Sequence, residues 1–385
     1  GPDDPAGGKI GRAPDGSPDG ALYESAMGLL TKRIPASTID EERAWMRRVL
    51  AEANGYGITQ VGAIEPRHSI DRLLVPLDRA GELSLRVRAT VRDAGPSLDA
   101  WLRALARIED DLEPSPRVAV LGFKGFMDGS LGSRTAWMLE PFADDPQNRG
   151  FPLALASSGE LQTLIGLAAE RGLQPAVHAI GDRANRTLLD WYGALSPEQR
   201  GALRPRVEHA QHLDPEDVPR FAELGVVASM QPLHKADDGR YAQARLGPER
   251  CESSYAFRDL LDSGAVLAFG SDWPVVSCDP WRGIAAAVTG RTLDGARFTP
   301  EQSLTVEEAL RAYTTGAAHA LHSERFSGRL TPGYVADLVV LDDDVLAART
   351  HAEIVGTRVR ATLLDGDVVA GSLEGFGDGA SDDRR

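Results

Sequence analysis

Cysteine is almost missing from this chain. Cys251 and Cys278 are the only two in 385 residues, too few for a disulfide framework and not spaced as a zinc motif, so buried free thiols and a reducing cytoplasm are expected. No apolar run approaches the roughly 20 residues of a membrane span, and the opening has neither the basic start nor the apolar stretch of a signal peptide. Residue 1 is Gly rather than Met, so an upstream segment is expected to have been removed or left out. Lysine occurs only at 9, 32, 124 and 235, leaving 38 of the 42 basic residues to Arg. Positive charge as a whole is short: a net charge of −15 argues against nucleic acid or an anionic membrane as partner and suits a small neutral or cationic substrate.

What is present is patterned. A length of 385 residues accommodates one barrel of roughly 250 residues with flanking elements. A helical pattern over 41–54 leads into strand patterns at 57–64, 83–91, 117–124, 174–178, 205–209, 225–230 and 265–270. Helical patterns at 69–80, 97–109, 159–171, 183–194, 214–224 and 253–263 separate them. Strands alternating with helices imply βαβ units and a parallel sheet, here of seven strands, one short of a closed barrel. Residues 1–20, rich in Gly, Pro and Asp, read as an irregular surface segment, and 21–325 as the incomplete barrel. Residues 305–321 form a long helical pattern. Residues 326–370 are β-hairpin material with a turn at Asp365-Gly366, and 371–385 read as a disordered tail.

Four strand patterns end in, or run directly to, a residue that can bear on a divalent metal: Lys124, His178, His209 and Asp272. Strand C-termini converge on one face of a barrel, so these positions can meet in space. Neutral imidazole keeps a lone pair at pH 7 and suits zinc, iron or manganese. Asp272 can touch a metal and exchange a proton with water, or serve only as a cap in Ser271-Asp-Trp-Pro274. Lys124 has two readings: a deprotonated lysine that has taken up carbon dioxide as a metal-bridging carbamate, or a plain amine contacting substrate or Asp128. The Gly-rich stretch 128–135, with Asp128, Ser130 and Arg134, is no P-loop and reads as a substrate loop. His234, just past the strand at 225–230, and Trp273 are further substrate-facing candidates. His68, His212, His319, His322 and His351 lack strand-end placement and read as structural or exposed. No two histidines stand as His-x-His, the early-strand pair that a binuclear site of this kind normally uses, so the metal site reads as incomplete.

In order and spacing, Phe123-Lys-Gly-Phe-Met-Asp-Gly-Ser-Leu-Gly-Ser-Arg-Thr135, Val177-His-Ala-Ile-Gly-Asp182, Arg206-Val-Glu-His-Ala-Gln211, Ser229-Met-Gln-Pro232, Gly270-Ser-Asp-Trp-Pro274 and residues 328–341 resemble the amidohydrolase superfamily, in its YtcJ-like branch (amidohydrolase family 3). The resemblance runs over almost the whole chain. It implies an α/β fold, a (β/α)8 TIM-barrel-type metallohydrolase missing its first strand, with a small C-terminal β-sandwich portion. It also implies one or two divalent ions, zinc before iron or manganese, with Lys124 at the position of a bridging lysine or glutamate. The implied reaction is hydrolysis of a non-peptide C–N bond, in an amide, formamide or cyclic amide, by metal-activated water with Asp272 shuttling the proton. Two alternatives stand beside it. One is an inactive truncated relative, or one needing a partner to complete the fold, with open sheet edges favouring homo-oligomers. The other is a mononuclear enzyme built on His178, His209 and Asp272 alone.

Overall fold

The computed structural model describes residues 3–5, 8–92, 98–110 and 115–374. Its strands are β1 (Gly8–Arg12), β2 (Pro18–Glu24), β3 (Gln60–Glu65), β4 (Arg86–Val91), β5 (Val118–Phe126), β6 (Gln174–Ala179), β7 (Arg206–His209), β8 (Val227–Met230), β9 (Leu267–Phe269), β10 (Leu338–Leu341), β11 (Val359–Leu364) and β12 (Asp367–Gly371). β3 to β9 form one sheet in sequence order with every neighbouring pair parallel. This is the seven-stranded α/β arrangement that the strand and helix alternation implies, with β3 and β9 as edge strands. No described helix is long and apolar enough to cross a membrane, and Cys251 and Cys278 are both buried and unpaired.

By packing, the chain divides into residues 1–46 and 47–385. The first unit corrects one expectation. Residues 1–20 read as irregular from their Gly, Pro and Asp content, yet Gly8–Arg12 and Pro18–Glu24 pair as an antiparallel hairpin of β1 and β2. Within the hairpin, Gly, Pro and Asp cluster in the turn, where Ala13 N–H donates to Ser17 O at 2.8 Å and Asp15 Oδ1 accepts from Ser17 N–H at 2.9 Å. Averaged composition hides a turn flanked by two short strands.

In the second unit the two faces of the sheet differ in chemistry. Val87, Ala89, Val91, Phe123, Val177, Val207 and Ala228 are buried on the face toward the helices, where Phe123 meets Trp101 with ring centroids 5.7 Å apart. The opposite, concave face is polar. In register along it lie Arg86, Arg88 and Thr90 of β4, Lys124 of β5, Gln174 and His178 of β6, Arg206 and Glu208 of β7 and Ser229 of β8. Arg206 Nε lies 3.0 Å from Glu208 Oε1, and Ser229 Oγ donates to Glu208 Oε2 at 2.6 Å.

The pattern at 305–321 becomes a helix from Val306 that opens with a Thr305/Glu308 capping box and carries a π-helical turn over Ala312–Gly316. Gly316 allows the close approach there, since a Cβ would stand 2.0 Å from the Leu267 carbonyl of β9. Beyond the helix, Ser323 Oγ accepts from Gln60 Nε2 at 2.7 Å and Phe326 stacks under the Arg88 guanidinium. This segment fills the N-terminal end of the sheet's concave side. Arg204, just before β7, holds Glu324 through two bonds of 2.7 Å.

β10, β11 and β12 make one antiparallel three-stranded sheet, turning at Asp365 and Gly366 with φ of 55° and 92°, the left-handed pair that a tight hairpin needs. Residues 328–341 supply only its strand β10 rather than a hairpin of their own, because β10 finds its partner in β11. The expected disordered tail lies, from residue 375 on, outside the described residues. Arg86 ties this sheet to β4: its guanidinium bonds Asp337 at 2.7 Å and reaches Asp365, and the Arg86 and Asp337 side chains are only 9% and 6% exposed.

Breaking that buried pair strands a carboxylate. Arg86→Ala is expected to cost about 3–5 kcal/mol in urea unfolding; a loss within the error of the extrapolation would show Asp337 to be hydrated. A second expectation concerns acid. Glu324 is held at about 2, from an ordinary 4.5, chiefly by its hydrogen bonds to Arg204 and against the opposing effect of burial. A depressed folded-state value means that its contribution is fully present above about pH 5 and is lost as the pH falls toward 2. Glu324→Gln should therefore lower stability by about 1 kcal/mol at pH 7 and by progressively less toward pH 2, followed by acid titration of the circular dichroism signal.

Candidate metal centre

The site gathers at the C-terminal ends of β5 to β9. Strand alternation alone would not build it. His209 pairs in register with Ala179, so regular pleating would turn its ring toward the helices. Instead His209 and Ala210 take left-handed φ of 81° and 44°, and the His209 ring comes to lie 4.6 Å from that of His178, centroid to centroid. Such backbone in non-glycine residues costs about 1–3 kcal/mol each and marks a place where position outweighs comfort. Asp272, three residues beyond β9, is left-handed as well, at φ 56°.

His209, His234 and Asp272 each present one ligand atom within 4.8 Å of the others. Gln231 orients the first: its Nε2 donates to Ser229 O at 3.3 Å, so its Oε1 faces His209 Nδ1 at 2.8 Å as acceptor. That puts the hydrogen on Nδ1 and frees the Nε2 lone pair, the arrangement of a metal-ligating imidazole held by a neighbouring acceptor. His234 lies near the start of the helix Pro232–Asp238, its ring stacked 5.9 Å from that of His209. Its Nε2 is buried with no hydrogen-bond partner. A buried polar atom without a partner costs about 1–3 kcal/mol, and a cation bound between these three groups would satisfy it. The donor set of two neutral nitrogens and one carboxylate therefore fits a divalent transition metal.

Electrostatics agree with the geometry. Burial, reinforced by His178, Lys124 and His234, keeps His209 neutral well below its usual titration range. His234 is lowered by burial against the pull of Asp272 and Asp237. Asp272 sits at the exposed rim, yet desolvation by the surrounding protein raises its carboxyl, opposed by His234 and Lys124. Lys124 is 3% exposed, its Nζ 5.1 Å from the centre of the Phe126 ring. Burial brings its amine down to about 8 against the attraction of Glu208 and Asp272.

The remaining sequence candidates fall in different places. His178 Nε2 lies 2.9 Å from Gly129 O and 3.4 Å from Asp128 Oδ1, outside the three-ligand group but with its ring against His209. Asp128 is buried, its carboxylate accepting N–H bonds from Trp137, Ile180 and Gly181 at 2.8, 3.0 and 2.9 Å. It pins the Gly-rich loop to the turn after β6. Ser130 Oγ shares hydrogen bonding with Ser133 within that loop. Arg134 pairs with Asp144, which Arg245 also contacts. Trp273, 37% exposed, lies at the rim beside Asp272, and Phe126, 41% exposed, flanks His178. Sequence reasoning placed His234 toward substrate and overlooked Gln231; the Gln-Pro-Leu-His run directly after a strand was the available signal for both.

A family model described as "Amidohydrolase family" matches residues 1–370. The chain is 34% identical over 94% of its length to Protein LONG AFTER FAR-RED 3 of Arabidopsis thaliana, covering 64% of that protein. It is 30% identical over 95% of its length to the putative amidohydrolase YtcJ of Bacillus subtilis, covering 68%. It is 27% identical over 94% to the N-substituted formamide deformylase of Arthrobacter pascens, covering 67%. The chain thus spans about two thirds of the length of these relatives. The crystal structure of an uncharacterized metal-dependent hydrolase from Pyrococcus horikoshii OT3 superposes with a TM-score of 0.72 at 29% identity, over 88% of this chain and 68% of that one. A family model spanning residues 1–370, and relatives 34% and 30% identical along nearly the whole chain, mean that this chain belongs to the amidohydrolase family.

Proposed function

We propose that this protein is a metal-dependent hydrolase of C–N bonds other than peptide bonds, acting on an amide, formamide or cyclic amide. The observation that carries the reading is the approach of His209, His234 and Asp272 to within 4.8 Å, with His234 Nε2 buried and unpartnered. These three residues would hold the ion, with His178 and Lys124 next in reach. Zinc is the first choice; iron and manganese also suit imidazole with carboxylate. When bound, such an ion polarises a carbonyl oxygen and makes water acidic enough to attack near neutral pH.

The protein's own groups supply the rest. Gln231 holds the His209 tautomer. Asp272, at the open side, would take a proton from the attacking water and return it to the departing nitrogen. Lys124, with its amine near 8, provides unprotonated nitrogen at neutral pH, the form that adds carbon dioxide to give a carbamate and release one proton. Phe126 and Trp273 flank the opening with apolar surface, and the loop anchored by Asp128 sits beside it. The similarity to an N-substituted formamide deformylase makes N-substituted formamides the first substrates to try.

Metal analysis by inductively coupled plasma mass spectrometry, on the full chain purified without chelator, is expected to find about one tightly held divalent ion per chain, lost in His209→Ala and His234→Ala. A folded sample without metal and without hydrolysis of a formamide panel would overturn the reading. With an active substrate in hand, Asp272→Asn, compared with the unaltered chain at equal metal content, should lower kcat by about 100-fold or more; an unchanged kcat would remove Asp272 from the proton path.

A further inference from the structure

On the other side of the helix that carries His234 lies a cavity of about 410 Å³ that the proposed reaction does not use. Leu233 and Ala236 of that helix and Ala286 of the helix Pro280–Thr289 pack together as its apolar floor. Its walls bring basic groups from three elements: Arg282 from the helix Pro280–Thr289, Arg291 from the turn after it, and His351 from the start of the helix His351–Val355. In a chain with a net charge of −15, this gathering runs against the general composition.

The arginines are exposed at the cavity wall and pair with no described carboxylate, although Asp279 stands near enough to Arg282 for the guanidinium to oppose the rise that burial imposes on its carboxyl. Arg282 and Arg291 have no side-chain hydrogen bond or ion pair with any described residue. Arg134 and Arg245, by contrast, are committed to Asp144. The Arg291 guanidinium lies over Gly295, where a Cβ would be 3.3 Å from its Nη2, so the glycine leaves room for the guanidinium in this position. The turn itself is closed by Gly295 N–H to Thr292 O at 2.9 Å and Thr292 N–H to Ala296 O at 3.0 Å. Asp294, the acidic residue of the lining, is engaged by Thr292 Oγ1 at 2.5 Å. Both guanidinium groups are near enough to His351 to add to the lowering that burial imposes on its imidazole.

We infer that this cavity binds a small oxyanion, a phosphate- or carboxylate-bearing molecule with a compact apolar part, held by Arg282 and Arg291 over the Leu233, Ala236 and Ala286 floor. Guanidinium groups bind such oxyanions through charge-assisted, often bidentate hydrogen bonds, and the volume falls within the usual range for small-molecule sites. An occupant would rest against the helix bearing His234 without touching the metal-ligand group.

Isothermal titration calorimetry of the full chain with inorganic phosphate and with succinate tests this. Saturable binding of either probe is expected, weakened about tenfold or more by Arg282→Ala/Arg291→Ala and retained in His234→Ala. The tighter probe then identifies the anion class. No saturable binding, or binding that the double arginine variant leaves intact, overturns the proposal, as does loss of binding in His234→Ala alone. Circular dichroism verifies the fold of each variant, and the milder Arg291→Gln, expected to weaken binding several-fold, serves if the double variant does not fold.

Discussion

Glu208 is where the charges on the concave face of the sheet meet. It sits beside Arg206 Nε at 3.0 Å, accepts the Ser229 hydroxyl, and with Asp272 attracts the charge of Lys124 that burial would otherwise expel. Neither Arg206 nor Glu208 is more than 5% exposed. Buried ions are tolerable only when paired, and removing one partner commonly costs several kcal/mol. The pairing therefore fixes β7 up to its last regular residue. One residue later the backbone turns left-handed, and the reversal at His209 starts from a strand that is held in place.

The same economy of anchoring holds the loop above the site. Asp128 satisfies three backbone N–H groups that belong to two separate segments, the residues just after the Gly-rich loop and the turn after β6. A buried carboxylate with three donors joins those segments more firmly than a flexible glycine stretch would by itself. His178 sits against both Asp128 and His209, linking the loop to the metal-ligand group. The rim is chemically different, with Phe126 and Trp273 partly exposed to solvent.

Much of this could be read from the chain. The ends of β5 and β6 are legible to within two residues because a mostly apolar run leading to Lys124 or His178 has few readings other than a strand leading to a polar site, and β7 ends at His209 as its pattern implies. The ordered parallel sheet followed from alternation with helices. The hairpin at residues 8–24 was obscured because turn residues dominate the local composition, although the strands on either side are short and ordinary. The π turn within 306–320 was also hidden, since its cause is close packing of Gly316 on β9 rather than any local helix signal.

The sequence by itself determined the element order, the apolar helix-facing side of the sheet and the candidate residues at its strand ends, because period-2 and period-3.6 patterns are local. Only the tertiary structure decided which of those residues meet. Strict alternation sends His209 to the wrong face, and its return depends on left-handed backbone at two positions that nothing nearby in sequence requires. His234 joins because a helix begins directly after β8 and its first turn stacks the His234 ring on that of His209. Arg282, Arg291 and His351 likewise share one cavity only through packing of elements far apart in the chain. Local patterns set what each segment is; convergence of side chains across segments is a property of how they pack.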